Sequence, residues 1–252
     1  MFAYLKHIMK LILGRIWAIY GIIVFAGSML LLMPLVLLTK LYSEPKKSIV
    51  FYPISKLWMR IFLWGTGCPL KIVGKAHFAK GTQYIVTSNH NSLLDVPITS
   101  PFIPGTNKTI GKIELNRIPI FKYMYERGSV LVDRRSDASR KKSYELMKQV
   151  LANKMHMCIY PEGTRNQSNE VLQPFKEGAF RLAVDTQTAI IPCLLFNTSK
   201  ALPTKPNFCY YPTALQMHFL PPIHPAGHTV ASLNELVYNT MRTYYVAHNG
   251  LV

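Results

Sequence analysis

Acidic residues are scarce in this chain of 252 residues, which has 12 Asp and Glu against 29 Lys and Arg and a net charge of +17. Cysteine is scarce too: the four cysteines lie far apart and form no C-x-x-C pair. This spacing excludes a disulfide scaffold and the usual zinc sites, and it is typical of a reducing compartment. A chain this basic is expected to bind an anionic partner. That partner can be nucleic acid, a lipid surface or a phosphorylated substrate.

Charge is missing altogether from one stretch near the N-terminus. The 24 residues between Arg15 and Lys40 are uncharged, and a helix of that length covers about 36 Å against about 30 Å for a bilayer core. Basic residues flank both ends, so they do not fix an orientation. A cleaved signal peptide would have a shorter apolar core and an A-x-A site, and a soluble core helix would carry more charge. The run therefore predicts a membrane anchor.

A second segment, residues 49–65, is aromatic-rich but carries Lys56 and Arg60. This composition predicts an interfacial amphipathic helix whose basic side chains reach the lipid head groups. The first 80 residues hold eleven Lys or Arg and one acid, so most of the positive charge lies beside these segments. We predict a membrane anchor over 1–65 and a catalytic domain over 66–252. The sequence leaves open whether the anchor spans the bilayer or lies in one leaflet.

Beyond the anchor, short β-rich runs alternate with helical patterns. This alternation predicts an α/β fold, a mostly parallel or mixed sheet covered by helices. The predicted strands are 70–73, 84–87, 129–132, 157–160, 190–196 and 214–219, and the predicted helices are 138–153, 178–185 and 230–248.

A histidine and an aspartate follow the second predicted strand, in the sequence N-H-N-S-L-L-D. Proline is tolerated only in the first turn of a helix, so Pro97 predicts a helix that starts within a residue of Asp95. His90 then lies in the turn before that helix, where the Asp95 carboxylate can reach back to its imidazole. This is the base-and-orienter arrangement of acyl-transfer sites. Asp95 also fits a capping box with Ser92, so a purely structural role stays open.

A second cluster, P-E-G-T-R at 161–165, follows the strand predicted at 157–160. It offers a tight turn with exposed backbone N–H groups and a guanidinium, that of Arg165, which can bind a phosphate through two hydrogen bonds. An ordinary surface turn with an exposed arginine is the alternative. Further basic residues border strands or turns on the same side: Lys112, Arg134 and Arg135.

Four short motifs thus occur in order: N-H-x-x-x-x-D, G-x-V-x-V-D-R, P-E-G-T-R and I-I-P. Behind a basic, apolar N-terminus, they resemble the motifs of the glycerolipid acyltransferases, and among these the bacterial 1-acylglycerol-3-phosphate (lysophosphatidate) acyltransferases. The resemblance covers roughly residues 60 to 220. Tyr160 and Leu131 stand where the family usually has phenylalanine, and neither change removes a polar group.

The resemblance implies a role for each motif residue. His90 is expected to be the general base that takes the proton of the acceptor's sn-2 hydroxyl, and Asp95 to fix its tautomer. The acceptor phosphate is expected on Arg165 and Lys112, with support from Arg134. The other implied site residues shape the pocket: Glu162, Gly163 and Thr164 beside the acceptor, and Pro192 on the donor side.

The family also implies no metal or other cofactor, membrane lipids as partners, and the thioester of acyl-CoA or acyl carrier protein as co-substrate. It implies an inner membrane with the catalytic domain on the cytoplasmic side. Glycerol 3-phosphate or a lyso-aminolipid stays open as the acceptor, as does the oligomeric state. A nucleic-acid-binding protein is disfavoured because zinc spacings, an RNP pattern and a basic recognition helix are missing. Intact His90 and Asp95 disfavour a non-catalytic lipid-binding scaffold.

Overall fold

The computed structural model describes residues 2–133, 135–168 and 170–248. Within them, seven strands form one sheet in the order β1-β7-β6-β2-β5-β3-β4. The strands are β1 (Leu70–Val73), β2 (Ile85–Ser88), β3 (Asn107–Lys112), β4 (Ser129–Val132), β5 (His156–Ile159), β6 (Ile190–Phe196) and β7 (Leu215–Phe219). Neighbouring strands are parallel except β6 and β7, which are antiparallel. The mixed sheet confirms the predicted fold class.

The central strands are apolar because both of their faces are covered. Every residue of β2, β5 and β6 is buried, which is typical of parallel strands between two helical layers. Because β2, β5, β3 and β4 run parallel, they end at one edge of the sheet, which we call the carboxyl edge. Open α/β sheets bind their ligands at such an edge.

Helices cover the sheet on both faces. They are α1 (Phe2–Leu38), α2 (Lys46–Gly65), α3 (Asp95–Phe102), α4 (Phe121–Gly128), α5 (Asp137–Ala152), α6 (Gly178–Thr186), α7 (Thr198–Ala201) and α8 (Val230–His248). Two successive residues of β2 point to opposite faces: Val86 joins a core cluster with α1, α2 and α3, and Ile85 joins one with α5, α6 and α8.

The two N-terminal helices pack against each other and against the sheet. The Trp17 indole donates a hydrogen bond to the Thr66 carbonyl (3.2 Å), and the Trp58 indole donates one to the Phe25 carbonyl (3.1 Å). Met59 of α2 is fully buried in the same cluster as β2. Helices α1 and α2 therefore share a hydrophobic core with the rest of the protein.

The outward side of α1 is apolar. Of the part of the chain that the structure describes, only the segment Phe2–Leu41 is long and apolar enough to cross a membrane. Four isoleucines on its outer surface are each more than half exposed: Ile12, Ile16, Ile19 and Ile23. Large exposed apolar surfaces of this kind mark membrane or protein contacts, so α1 indicates membrane association.

The predicted strands and the helices beyond the anchor agree with the structure to within one residue at each end. The helix expected near Asp95 starts at that residue. The amphipathic helix predicted at 49–65 begins three residues earlier, at Lys46. Three of the elements labelled here escaped the sequence prediction: strand β3 and helices α4 and α7.

Candidate active site

The turn that carries His90 is held by the residue before it. Asn89 is fully buried at the end of β2. Its side-chain amide donates to the Leu195 carbonyl (3.0 Å) and its amide oxygen accepts the Leu195 N–H (2.7 Å). This pair of hydrogen bonds fixes the chain at the carboxyl edge, so that His90 leaves the sheet in a defined direction.

His90 and Asp95 meet as the sequence predicts. The distance between His90 Nδ1 and Asp95 Oδ2 is 2.8 Å, and the aspartate is fully buried. The same Oδ2 accepts the backbone N–H groups of Asn91 (2.6 Å) and Ser92 (2.7 Å). Because an ionised carboxylate only accepts, Nδ1 carries the proton and Nε2 is left as the basic nitrogen. Asp95 therefore both orients the imidazole and caps the turn that leads into α3.

Glu162 ties the two motif loops together. Its Oε1 accepts the His90 N–H (2.7 Å) and its Oε2 accepts the Gln173 N–H (2.9 Å). Burial raises the pKa of Glu162, while these two N–H groups act in the opposite direction. The carboxylate thus holds the backbone of His90 from the loop after β5.

The P-E-G-T-R loop turns sharply beside His90. Gly163 has φ +74°, and a Cβ there would lie 2.9 Å from the Lys176 side chain, so glycine suits both the backbone and the space. Thr164 is exposed and Arg165 is half-buried. The N–H of the next residue, Asn166, donates to the His90 carbonyl at 2.6 Å, which places Arg165 directly beside the histidine turn.

Lys112 lies at the same edge, at the end of β3, which pairs with β5. The order along the carboxyl edge is His90 after β2, Arg165 after β5 and Lys112 on β3. Lys112 is exposed, and no carboxylate among the described residues lies within ion-pairing distance of it or of Arg165. Two cations that form no ion pair with a described carboxylate therefore lie next to the His90 turn, one in the loop and one at the end of β3.

Apolar side chains are exposed directly after Lys112. Four of them lie in or beside the 3₁₀ turn Ile113–Arg117 and are 38–45% exposed: Ile113, Leu115, Ile118 and Ile120. An apolar rim beside a pair of cations suits a ligand that has an anionic head and a hydrocarbon chain.

Two other implied site residues stand apart. Pro192 is buried inside β6, opposite Thr87 of β2, and its carbonyl accepts the Leu220 N–H. It lies within the sheet and not at its edge. Arg134 lies outside the described residues. Within the described ranges, no group of three or more His, Cys, Asp or Glu is arranged to hold a metal ion.

Sequence reasoning missed two aromatic neighbours of this site. The rings of Tyr160 and His90 lie 4.6 Å apart, and the strand-to-loop position of Tyr160 was the available signal. Tyr245 of α8 stacks on Phe196, with 4.9 Å between ring centroids, and its hydroxyl contacts the Asn91 side chain. Burial raises the pKa of Tyr245. No sequence signal links Tyr245 to the site, because it is about 150 residues away from His90.

Three comparisons with known proteins agree with this geometry. The family model described as Acyltransferase matches residues 69–195. The chain is 29% identical over 194 residues to the 1-acyl-sn-glycerol-3-phosphate acyltransferase beta of Homo sapiens, covering 75% of this chain and 69% of that one. It is 31% identical over 195 residues to the alpha enzyme of Mus musculus (73% and 67%) and 34% identical over 146 residues to the enzyme of Helicobacter pylori (58% and 60%).

The fold agrees with a solved structure as well. The crystal structure of the 1-acyl-sn-glycerophosphate (LPA) acyltransferase PlsC from Thermotoga maritima superposes with a TM-score of 0.77, covering 93% of this chain and 96% of that one at 18% identity. The family model spans half of this chain and contains His90, Asp95, Lys112 and Arg165. The protein therefore belongs to the acyltransferase family, among the 1-acyl-sn-glycerol-3-phosphate acyltransferases.

Proposed function

We propose that the protein transfers a fatty acyl group to the sn-2 hydroxyl of 1-acylglycerol 3-phosphate, giving phosphatidic acid for phospholipid synthesis. The donor is the thioester of acyl-CoA or acyl carrier protein. The observation that carries this proposal is the His90–Asp95 hydrogen bond at the carboxyl edge, beside the cations of Arg165 and Lys112. The names of the relatives, all 1-acyl-sn-glycerol-3-phosphate acyltransferases, support the choice of acceptor.

The reaction needs a base and no enzyme nucleophile. Nε2 of His90 takes the proton of the acceptor hydroxyl while that oxygen attacks the thioester carbonyl, and the thiol leaves with the proton from the imidazolium. The buried Asp95 carboxylate stabilises the imidazolium between these two steps. Each acyl group thus forms one ester bond and breaks one thioester bond without a covalent enzyme intermediate.

The four cysteines and the serine close to His90 are not available for covalent catalysis. All four cysteines are free and buried, and burial raises the pKa of Cys158 to about 12. A thiol with such a pKa is not a thiolate at neutral pH. Near the histidine, the Ser92 hydroxyl donates to the Leu202 carbonyl at 2.9 Å. The buried thiols and the hydrogen-bonded Ser92 hydroxyl therefore support a mechanism in which the acceptor alcohol attacks the thioester directly.

In this proposal, Arg165 and Lys112 bind the acceptor phosphate, and the exposed apolar residues after Lys112 contact its acyl chain. Arg134 also supports the phosphate. The remaining proposed pocket residues act through the backbone: Glu162, Gly163 and Thr164 shape the loop, and Pro192 supports the donor side from within the sheet.

Neutralising either cation is expected to weaken the use of a phosphorylated acceptor. Charged hydrogen bonds of this kind contribute about 1.5–3 kcal/mol, so Lys112→Ala or Arg165→Ala should raise the acceptor KM roughly ten- to hundredfold. Arg165→Lys should recover only part of this loss, because an ammonium cannot form the two parallel bonds of a guanidinium. Steady-state kinetics on mixed micelles, varying acceptor and donor separately, measure the effect.

The control is Arg181→Ala, which removes a guanidinium from a surface ion pair with Glu177 on α6 and should leave the acceptor KM unchanged. A comparison of phosphorylated with phosphate-free acceptors decides whether Arg165 binds the phosphate. If Arg165→Ala impairs phosphorylated and phosphate-free acceptors equally, the phosphate is not bound there. A lyso-aminolipid would then replace 1-acylglycerol 3-phosphate as the proposed acceptor. Activity of the wild-type protein on glycerol 3-phosphate would instead favour that smaller phosphorylated substrate.

We further propose that the protein is bound to the inner membrane with its catalytic domain on the cytoplasmic side. The apolar surface of α1 and the lipid nature of the acceptor support membrane attachment. Four unpaired cysteines are consistent with a reducing cytoplasm.

Lysine substitutions on the outer surface of α1 are expected to release the protein from membranes. Ile19 and Ile23 are more than half exposed, so Ile19→Lys/Ile23→Lys should leave the protein core intact. Each lysine would place a charge in the bilayer at a cost of about 2.5–3.5 kcal/mol. Carbonate washing of membranes should leave the wild-type protein in the pellet and release much of the variant. Leu236→Lys/Val246→Lys, on exposed positions of α8, is the matched control. Release of wild type by salt alone would show that α1 is not inserted.

A further inference from the structure

A cavity lies beside helix α2 of the anchor, away from His90. Its volume is about 370 Å³, and it is bounded by α2, by β1 and by the loop that follows α3. The residues that matter for its chemistry are Lys56, Arg60, Trp64, Leu70, Lys75 and Phe102. Nothing in the proposed reaction uses this cavity.

Every charged side chain that lines the cavity is basic. Lys56 and Arg60 come from α2, one helical turn apart, and Lys75 comes from the turn after β1. Across residues 2–133, 135–168 and 170–248, no carboxylate lies within ion-pairing distance of any of them. The protein thus brings three like charges together from two elements without compensating them.

The close approach of these three cations affects the pKa of Lys56. Burial lowers the pKa of Lys56, and the neighbouring charges of Arg60 and Lys75 lower it further. Elsewhere the chain balances a buried lysine: Lys108 forms an ion pair with Glu44 at 2.8 Å. A cluster of cations with no acidic partner is electrostatically unfavourable until an anion enters it.

The cavity is separate from the proposed reaction site. β1 is parallel to β7, which is antiparallel to β6 and hence also to β2. Lys75, just after β1, therefore lies at the sheet edge where β2 begins, and His90 lies at the opposite edge. Helix α3 connects the two places, with Asp95 at its first residue and Phe102 at its last, about 10 Å apart along the axis. One bound phosphate cannot occupy both.

The cavity opens beside an apolar face of α2. Ile49, Leu57 and Trp64 are 52%, 46% and 89% exposed, and they lie on one side of the helix with Arg60 among them. A tryptophan exposed to this degree on an apolar helix is typical of the membrane interface. The anion that enters is therefore expected to be part of an amphiphile, with its hydrocarbon chains along this face.

We propose that the cavity binds the phosphate group of one anionic membrane phospholipid, as a second lipid site distinct from the acyl-transfer site. The guanidinium of Arg60 donates two hydrogen bonds to the phosphate oxygens, and the ammonium groups of Lys56 and Lys75 supply the remaining charge. Trp64, Leu70 and Phe102 contact the glycerol and the start of the acyl chains.

Native mass spectrometry of the detergent-solubilised full-length protein with added phosphatidylglycerol tests the proposal. Lys56→Gln/Arg60→Gln should retain one phosphatidylglycerol fewer than wild type. Lys46→Gln/Lys47→Gln removes the same charge from the same helix outside the cavity and should retain the wild-type number. Lys112→Gln/Arg165→Gln, at the proposed reaction site, should keep the cavity lipid, so the two sites are tested independently.

Lys75→Gln leaves α2 unchanged and tests the same site if the α2 variant misfolds; it should weaken retention about tenfold. Equal loss from the cavity variant and the Lys46/Lys47 control would mean diffuse surface attraction and would overturn the proposal. So would retention of phosphatidylcholine as strong as that of phosphatidylglycerol. Displacement of the lipid by millimolar inorganic phosphate would show that the anion alone fills the cavity, and it would overturn the assignment to a lipid.

Discussion

Replacing His90 with alanine is expected to lower the turnover number at least a hundredfold while the fold and membrane attachment persist. A positioned general base contributes on the order of a hundred- to ten-thousandfold, and the lower figure corresponds to about 2.7 kcal/mol of transition-state stabilisation. The substitution leaves the backbone bonds of the turn in place, because Glu162 accepts the residue's N–H and Asn166 donates to its carbonyl. Acyl transfer to 1-acylglycerol 3-phosphate in micelles measures the loss.

The matched control is His224→Ala, which removes an exposed imidazole far from the carboxyl edge and should leave turnover unchanged. Thermal unfolding and membrane pelleting of both variants check that the fold is intact. Near wild-type turnover in the His90 variant, at any pH between 6 and 9, would contradict the general-base assignment. The acid–base chemistry would then have to come from another group.

The sequence placed the two motifs at strand ends because they follow strands that the apolar pattern identifies. His90 and the P-E-G-T-R loop come directly after β2 and β5, and these strands are adjacent and parallel. Parallel strands end at the same edge, so two motifs 72 residues apart were expected on the same side of the sheet. The hydrogen bond from the His90 N–H to Glu162 shows how close they come.

Strand β3 could not be predicted, because its sequence N-K-T-I-G-K carries almost no apolar pattern. Two of its polar side chains have partners outside the strand: Asn107 bonds Ser100 and Lys108 pairs with Glu44. Pairing with β4 and β5 then fixes the backbone. Tertiary context decides such a strand, and local pattern does not. Lys112 was nevertheless identified, through the family motif that follows it.

The anchor shows another limit of the sequence. Its composition predicted helices at the membrane, yet it could not show that Met59 and Phe62 of α2 complete the core over the sheet. A helix with one face in a protein core and another toward lipid is apolar nearly all round, and its sequence does not separate the two faces. For this reason, point substitutions on exposed positions test the anchor more sharply than deletion of residues 1–65.

Whether Asp95 is more than a cap is decided by the substitution Asp95→Asn, which is expected to lower turnover about a hundred- to thousandfold with little loss of stability. The amide oxygen of asparagine can still accept the N–H groups of Asn91 and Ser92 that now bind Oδ2. Since the buried Oδ1 has no hydrogen-bond partner among the described residues, the new NH₂ group disrupts no existing bond, and one unpaired polar group replaces another. What the variant loses is the negative charge that stabilises the imidazolium of His90.

Asp95→Ala supplies the comparison, because it removes the acceptor along with the charge. Two backbone N–H groups and the imidazole N–H then lose their partner, and each unpaired buried donor costs about 1–3 kcal/mol. The alanine variant should therefore unfold at a clearly lower temperature, whereas the asparagine variant should melt close to wild type. Turnover of the asparagine variant separates the two roles. If this turnover stays close to wild type, Asp95 serves only the turn before α3, and His90 acts without a counter-charge. If the turnover falls as expected while the melting temperature is unchanged, the substitution has impaired the chemistry and not the fold.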